Sequence, residues 1–372
     1  MGEKFKDKPI NRKIMKRDDC FYWQTDRDVN PKEAGKIWSD RHEYFTDKQI
    51  IEAVNMELKE DRLISLEPLD YEAQTSLGSV NSVRIGRLNS GKEVIIRNHP
   101  TGIENGYFYA ESLASSIAKK KGVPSYDTLA IHDLQNTRDH SFQVIEKLPG
   151  EAIKNYLEKN PSEEGDILFE VGKTMAKLHQ VEVVGFGPFD NQLARQGRLQ
   201  GLHKKYDNAI SAGLNFNLNV LEKENLLTLP QSEKIKELFQ GNILLENIQP
   251  VLVHNDFADW NLLTDSKKVT GVLDFDECVA GDPISDIACW STFFMPERLD
   301  LMLKGYWSVA EEPEDFEEKF QLFRLRYIIS KMTLRIRRYS WDPSEFMEGM
   351  IKKGTKHLND SLEYFDLKSD SN

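Results

Sequence analysis

Residues 251–286 read VLVHNDFADWNLLTDSKKVTGVLDFDECVAGDPISD. The stretch opens on a short apolar run, Val251-Leu252-Val253, and breaks into a polar burst, His254-Asn255-Asp256. Asn261 follows Asp256 by five residues, and a second apolar run at 269–273 ends in Asp274-Phe275-Asp276. Two short strands joined through the turn-like Asp265-Ser266-Lys267-Lys268 would bring Asp256, Asn261 and Asp274 to one rim.

The three residue types suit one chemistry. An Asp on a rigid loop can take a proton from a substrate hydroxyl, and an amide oxygen with a second carboxylate suits a hard cation such as Mg²⁺. In phosphoryl transfer the protein mainly positions the nucleophile and neutralises phosphate charge. Asp, four residues, Asn, then a downstream Asp at a strand end is also the spacing of protein-kinase catalytic loops. A lone DxxxxN or HxD is a common accident, and Asp274 by itself is an ordinary strand-end carboxylate. The ordered set within its hydrophobic pattern is not.

His254-x-Asp256-x4-Asn261, then Asp274, then Gly281-Asp282-Pro283-x2-Asp286 resembles the aminoglycoside phosphotransferase family, a branch of the kinase-like fold. LVHNDFADWNLLTD, with GFGPFD at 185–190, is particularly similar to hygromycin-type phosphotransferases. The resemblance spans roughly residues 60 to 310. It implies an α+β, two-lobed protein-kinase-like fold: a small antiparallel-sheet N-lobe at 46–148, a larger, mainly helical C-lobe at 149–372, and an extension at 1–45 with no assigned role. It implies transfer of the γ-phosphoryl group of ATP or GTP to a hydroxyl of a small molecule, an aminoglycoside or related antibiotic. Asp256 would be the catalytic base, with His254 and Asp286 stabilising its loop, and Asn261 and Asp274 would hold Mg²⁺.

The same resemblance directs attention upstream. Gly78 and Ser79 precede a hairpin in which Val83 and Ile85, then Val94 and Ile96, alternate around Asn89-Ser90-Gly91, and their backbone could approach a nucleotide phosphate. Arg97 stands where kinases carry a phosphate-binding Lys, and a guanidinium can hold phosphate bidentately. Glu111 lies beside the Ala110-Leu113-Ala114-Ile117 stripe of a helix and matches the acidic partner of that cation. Main chain from Glu146 to Leu148 matches the inter-lobe segment that would meet the base. Asp259, Asp276 and Glu277 are candidate contacts for substrate amines, or ordinary loop acids.

Composition sets the bounds. Hydrophobic residues make up 39% and charged ones 30%, which describes a folded globular chain. A net charge of −12 argues against a nucleic-acid partner. No apolar run approaches the length of a membrane span, and the charged N-terminus lacks a signal-peptide core. Cys20, Cys278 and Cys289 form no CxxC and fit a reducing cytoplasm. Thr46 and Gln49 form a capping box, and Phe316, Phe320, Phe323, Tyr327 and Leu334 mark a long amphipathic helix with a basic end at Arg335, Arg337 and Arg338. Cys20-Phe21-Tyr22-Trp23 reads as a tail anchor. The same catalytic set would also serve a metabolic kinase of choline, homoserine or a methylthio sugar. A nucleotide-binding pseudokinase, or a metal-dependent hydrolase built on His254, Asp256 and Asp274, are the rivals from other classes.

Overall fold

The computed structural model describes residues 17–21, 35–36, 39–40, 43, 45–69, 81–99, 107–133, 141–266 and 268–367. Alternating apolar side chains build the first half. Strands β1 (Leu63–Pro68), β2 (Ser82–Leu88), β3 (Glu93–His99), β4 (Thr128–His132) and β5 (Ser141–Glu146) form an antiparallel sheet in the order β1-β2-β3-β5-β4. The β2–β3 hairpin closes at Gly91, whose φ of 84° a side chain would resist. On β3, Val94 and Ile96 are fully buried with Phe142 and Val144 of β5 and with Ile50 and Val54 of helix Asp47–Glu57. Each such aliphatic stabilises the fold by roughly 1.5–3 kcal/mol. The helix begins at the Thr46–Gln49 capping box that the sequence indicates.

Strand geometry then fixes a functional direction. Successive side chains point to opposite faces, so Arg97 turns away from the Val94–Ile96 face. It faces helix Phe108–Lys120, the helix carrying Glu111.

Past Pro149-Gly150 the strands shrink. β6 (Glu151–Ala152), β10 (Leu262–Thr264) and β11 (Val269–Val272) form one antiparallel sheet in the order β11-β10-β6. β7 (Phe186–Phe189), β8 (Gly201–His203), β9 (Val251–Val253) and β12 (Val279–Gly281) form another, in the order β8-β7-β12-β9. The stretch expected as two joined strands is therefore divided between sheets: β10 precedes the 265–268 turn, and β9 pairs with β12. A three-residue strand is too short to show alternation, so β10 leaves no period to read.

Helices supply the remaining core. Glu164–Leu178 meets Pro296–Trp307 so closely that a methyl on Gly172 would overlap the Met302 carbonyl. Helix Phe316–Tyr339 buries Phe316, Phe320, Phe323 and Tyr327, with Leu334 only half-buried. Its basic end is not solvated as a terminal cluster would be: Arg335 and Arg338 are buried, and Arg335 Nη1 donates to the Met350 carbonyl (3.2 Å) on helix Glu345–Tyr364. Among the described residues no helix is long and apolar enough to cross a membrane.

That packing bears on stability in acid. Burial, with Arg324, Lys353 and Arg335 nearby and only Asp360 opposing, lowers His357 to about 4. A histidine depressed below its unfolded value of about 6.5 contributes stability in full above that pH and loses it as pH falls toward 4. His357→Gln is therefore expected to reduce the loss of unfolding free energy between about pH 6.5 and 4.5 by on the order of 1–2 kcal/mol. Urea unfolding at both pH values measures this, and an unchanged pH slope contradicts it.

Candidate active site

After β9 the chain turns through His254-Asn255-Asp256, with Asn255 in the left-handed region at φ 68°. Asn tolerates that conformation better than most residues. The turn is held by Asp286, a fully buried carboxylate on helix Ile284–Ser291. Its Oδ2 accepts the His254 N–H and its Oδ1 the Asn255 N–H, both at 2.7 Å. His179 donates to the same carboxylate from Nε2 at 3.1 Å and meets the Tyr306 hydroxyl through Nδ1 at 2.8 Å. Gly281-Asp282-Pro283 sets the helix start, since Asp282 Oδ1 accepts the Ile284 N–H at 2.9 Å.

The His254 ring braces the loop from below. Nε2 donates to the Leu273 carbonyl at 2.8 Å, which leaves Nδ1 to accept the Asp256 N–H at 3.3 Å. Both ring nitrogens are engaged with main chain, so His254 orients Asp256 without reaching its carboxylate in these bonds. Asn261 Nδ2 does reach it, donating to the Asp256 carbonyl at 2.9 Å and to Oδ2 at 3.0 Å. The Leu273 N–H donates to the Asn261 carbonyl at 2.9 Å and so ties this loop to the end of β11. The rim expected from the sequence is thus assembled by side-chain and main-chain hydrogen bonds together.

Asp274 closes it, in the left-handed region at φ 64° and ψ 63°. Asp, like Asn, tolerates that conformation better than most residues, yet it still costs energy that the surrounding contacts offset. One constraint is Arg97, whose Nη2 donates to Asp274 Oδ1 at 2.6 Å. The same guanidinium pairs through Nη1 with Glu111, whose Oε1 also accepts the Tyr126 hydroxyl at 2.7 Å. Gln143, opposite Arg97 in the sheet, approaches at 3.4 Å. Burial works against the Arg97 charge, but Glu111 and Asp274 outweigh it and hold the guanidinium firmly protonated. Burial also raises the Glu111 carboxyl, and Arg97 opposes that rise.

Asp256 lies partly open at its surface yet deep within the protein, and this desolvation pushes its carboxyl above the ordinary carboxylate range. Lys331 and His254 oppose that rise, while Asp274 adds to it. Lys331, on helix Phe316–Tyr339, is itself buried, with Nζ 3.1 Å from the Phe293 ring centroid and its pKa lowered by desolvation. The sequence pattern gives no site role to Lys331, to Tyr126 behind Glu111, or to Tyr327, which it marks only within a helix stripe and whose hydroxyl donates to Asn255 Oδ1.

The oxygen donors fit Mg²⁺. The Asn261 amide nitrogen is turned to Asp256, leaving the amide oxygen as the group for a cation, and the Asp274 side chain is 37% exposed. Among the described residues no group of three or more His, Cys, Asp or Glu is arranged to hold a metal ion. An oxygen pair completed by substrate phosphates suits Mg²⁺ better than a closed protein cage.

The other expected positions differ in fate. Gly78 and Ser79 lie outside the described residues. Glu146 pairs with Val94 at the end of β5, and its side chain takes Lys119 Nζ at 2.9 Å. Leu148 follows, half-buried, against β11: a methyl on Gly271 would come within 2.9 Å of Leu148 Cδ1. Of the three candidate amine contacts, Asp259 is buried and bonded to Arg298 Nη1 at 3.1 Å, and Glu277 is buried. Asp276 is half-buried beside Asp274 and Glu277.

A sheet lobe and a helical lobe meeting at such a rim form the kinase-like arrangement expected from the sequence. Residues 79–320 match the phosphotransferase enzyme family, and the chain belongs to it. Solved structures share the kinase-like fold. A thermostable mutant of the aminoglycoside phosphotransferase APH(4)-Ia is 17% identical, with a TM-score of 0.60 covering 86% of this chain and 99% of that one. A variant of it in ternary complex with AMP-PNP and hygromycin B is 18% identical, with a TM-score of 0.59 covering 84% and 98%. A Thermobifida fusca structure, assigned provisionally as a fructosamine-3-kinase, is 14% identical, with a TM-score of 0.58 covering 83% and 98%. A search of curated proteins finds no match.

The Arg97 network predicts a stability effect. Arg97→Met leaves the Glu111 carboxylate buried without its cation, so unfolding free energy should fall by about 3–5 kcal/mol. Adding Glu111→Leu should recover most of it. A loss below about 1 kcal/mol in urea unfolding of the single variant contradicts the pairing.

Proposed function

We propose that the protein moves the γ-phosphoryl group of ATP or GTP to a hydroxyl of a small molecule. The observation that carries this is the Asp256 carboxylate, held by the Asn261 amide at 3.0 Å on a loop braced by His254 and Asp286. Asp256 orients the acceptor hydroxyl and takes its proton, and a carboxyl raised by burial is the better base for that task. Asn261 and Asp274 hold Mg²⁺, which neutralises charge on the phosphates. Arg97 binds phosphate, Glu111 orients Arg97, and main chain at Glu146 and Leu148 meets the base. A neighbouring structure's complex with AMP-PNP supports the nucleotide assignment. The proposed lobes are 46–148 and 149–372, with the cleft at their junction, and the three buried free cysteines fit a cytoplasmic setting.

The acceptor is a second question. The neighbour bound to hygromycin B supports an aminoglycoside or related antibiotic. The engagement of Asp259 by Arg298 and the burial of Glu277 favour a metabolic acceptor of lower positive charge, such as a sugar. Pseudokinase and hydrolase readings are weaker, because the Asp256, Asn261 and Asp274 set is complete and no further metal-ligand cluster accompanies it among the described residues.

Asp256→Asn should lower transfer by at least about 10²-fold while leaving nucleotide affinity near that of the native chain. Turnover assay and nucleotide titration measure the two. Undiminished turnover removes Asp256 from the role.

A further inference from the structure

Residues 17–21 precede the family match, which begins at residue 79, yet they touch the turn after Asp274 directly and reach the catalytic turn through Tyr327. The Arg17 guanidinium lies 3.5 Å from the Tyr107 ring centroid and donates from Nη1 to the Asp276 carbonyl at 2.9 Å. Tyr107 immediately precedes helix Phe108–Lys120. Its hydroxyl donates to the Cys278 carbonyl and accepts the Phe189 N–H, both at 2.8 Å. Arg17 and Tyr107 together therefore grip the turn Phe275–Glu277, which follows Asp274 directly. Further along, the Phe21 ring centroid lies 5.0 Å from that of Tyr327, whose hydroxyl meets Asn255 in the catalytic turn. Cys20, beside Phe21, is fully buried, so the segment is anchored to the molecule at that residue, with Arg17 and Phe21 half-buried.

A guanidinium over an aromatic face that also donates to a carbonyl restrains both partners at once. Asp274 sits in the left-handed region, which Asp tolerates better than most residues but which still costs energy to hold, so restraint of the turn that follows bears on it. We propose that Arg17 is a positioning residue: by tying the Asp276 carbonyl to Tyr107, the N-terminal segment sets the turn that presents Asp274 to the metal–nucleotide complex. The proposal rests on the phosphotransferase reading of Asp274. It makes part of the chain outside the family's matched region a working component of the site.

The test uses the full chain and two variants, Arg17→Ala and Arg17→Gln. The glutamine keeps an N–H donor for the carbonyl without the cation over the ring, and it decides the matter should the alanine variant fail to fold. Hydrogen–deuterium exchange reads the turn through the amides of Leu273 and Cys278, which donate to Asn261 and Phe275. Titration of Mg²⁺ against a fluorescent ATP analogue reads the consequence. Arg17→Ala should speed exchange at these amides by about tenfold and raise the Mg²⁺ midpoint by a similar factor, with metal-free nucleotide binding unchanged. Arg17→Gln should fall between. Unchanged exchange overturns the proposal, and so does faster exchange with an unchanged Mg²⁺ midpoint, because the contact is then only structural. A native chain that binds no nucleotide at all instead overturns the phosphotransferase reading, and the proposal with it.

Discussion

The site depends on one buried carboxylate. Asp286 accepts two successive backbone N–H groups, from His254 and Asn255, and a third hydrogen bond from His179. A carboxylate taken out of water is costly unless its lone pairs are satisfied, and backbone amides buried without an acceptor are costly too. Each side of the contact therefore requires the other. The turn cannot relax without leaving the charge and two amides unpartnered, and Asp256 is carried on it. His254 and Asn261 then add the direction of the side chain, by bonds to Leu273 and to Asp256 itself.

Arg97 plays the corresponding part across the cleft. It is placed by strand alternation on β3, faces a helix through Glu111, and reaches Asp274 on the far side. One guanidinium thus joins the sheet, the helix behind it and the turn after β11. A lysine would supply the charge at one point but not three donors in a plane. The Arg in place of the expected Lys is consistent with that three-way demand.

Much of this was open to sequence reasoning, for identifiable reasons. The Asp256, Asn261 and Asp274 set lies within a short span, and its order carries chemical meaning. Thr46–Gln49 and the β2–β3 hairpin follow local rules that tertiary context left intact. What stayed hidden is long-range. The pairing of β9 with β12, the Tyr327 hydroxyl on Asn255 and the Tyr306 hydroxyl on His179 join residues far apart in the chain, and no local period encodes them. Burial was not legible at two places. Arg335 and Arg338, a basic helix end in sequence, are enclosed, and Asp259, a candidate amine contact or loop acid, is held by Arg298.

The most direct measurement follows the phosphoryl group itself. The protein would be incubated with Mg²⁺ and γ-labelled ATP or GTP against separate acceptors: aminoglycosides, hygromycin-type antibiotics, choline, homoserine and reducing sugars. Label is expected on a hydroxyl of one acceptor class, dependent on Mg²⁺, with the nucleoside diphosphate released in equal amount. Label appearing only as inorganic phosphate, at a rate that no acceptor changes, would contradict that expectation and make the chain a nucleotide hydrolase.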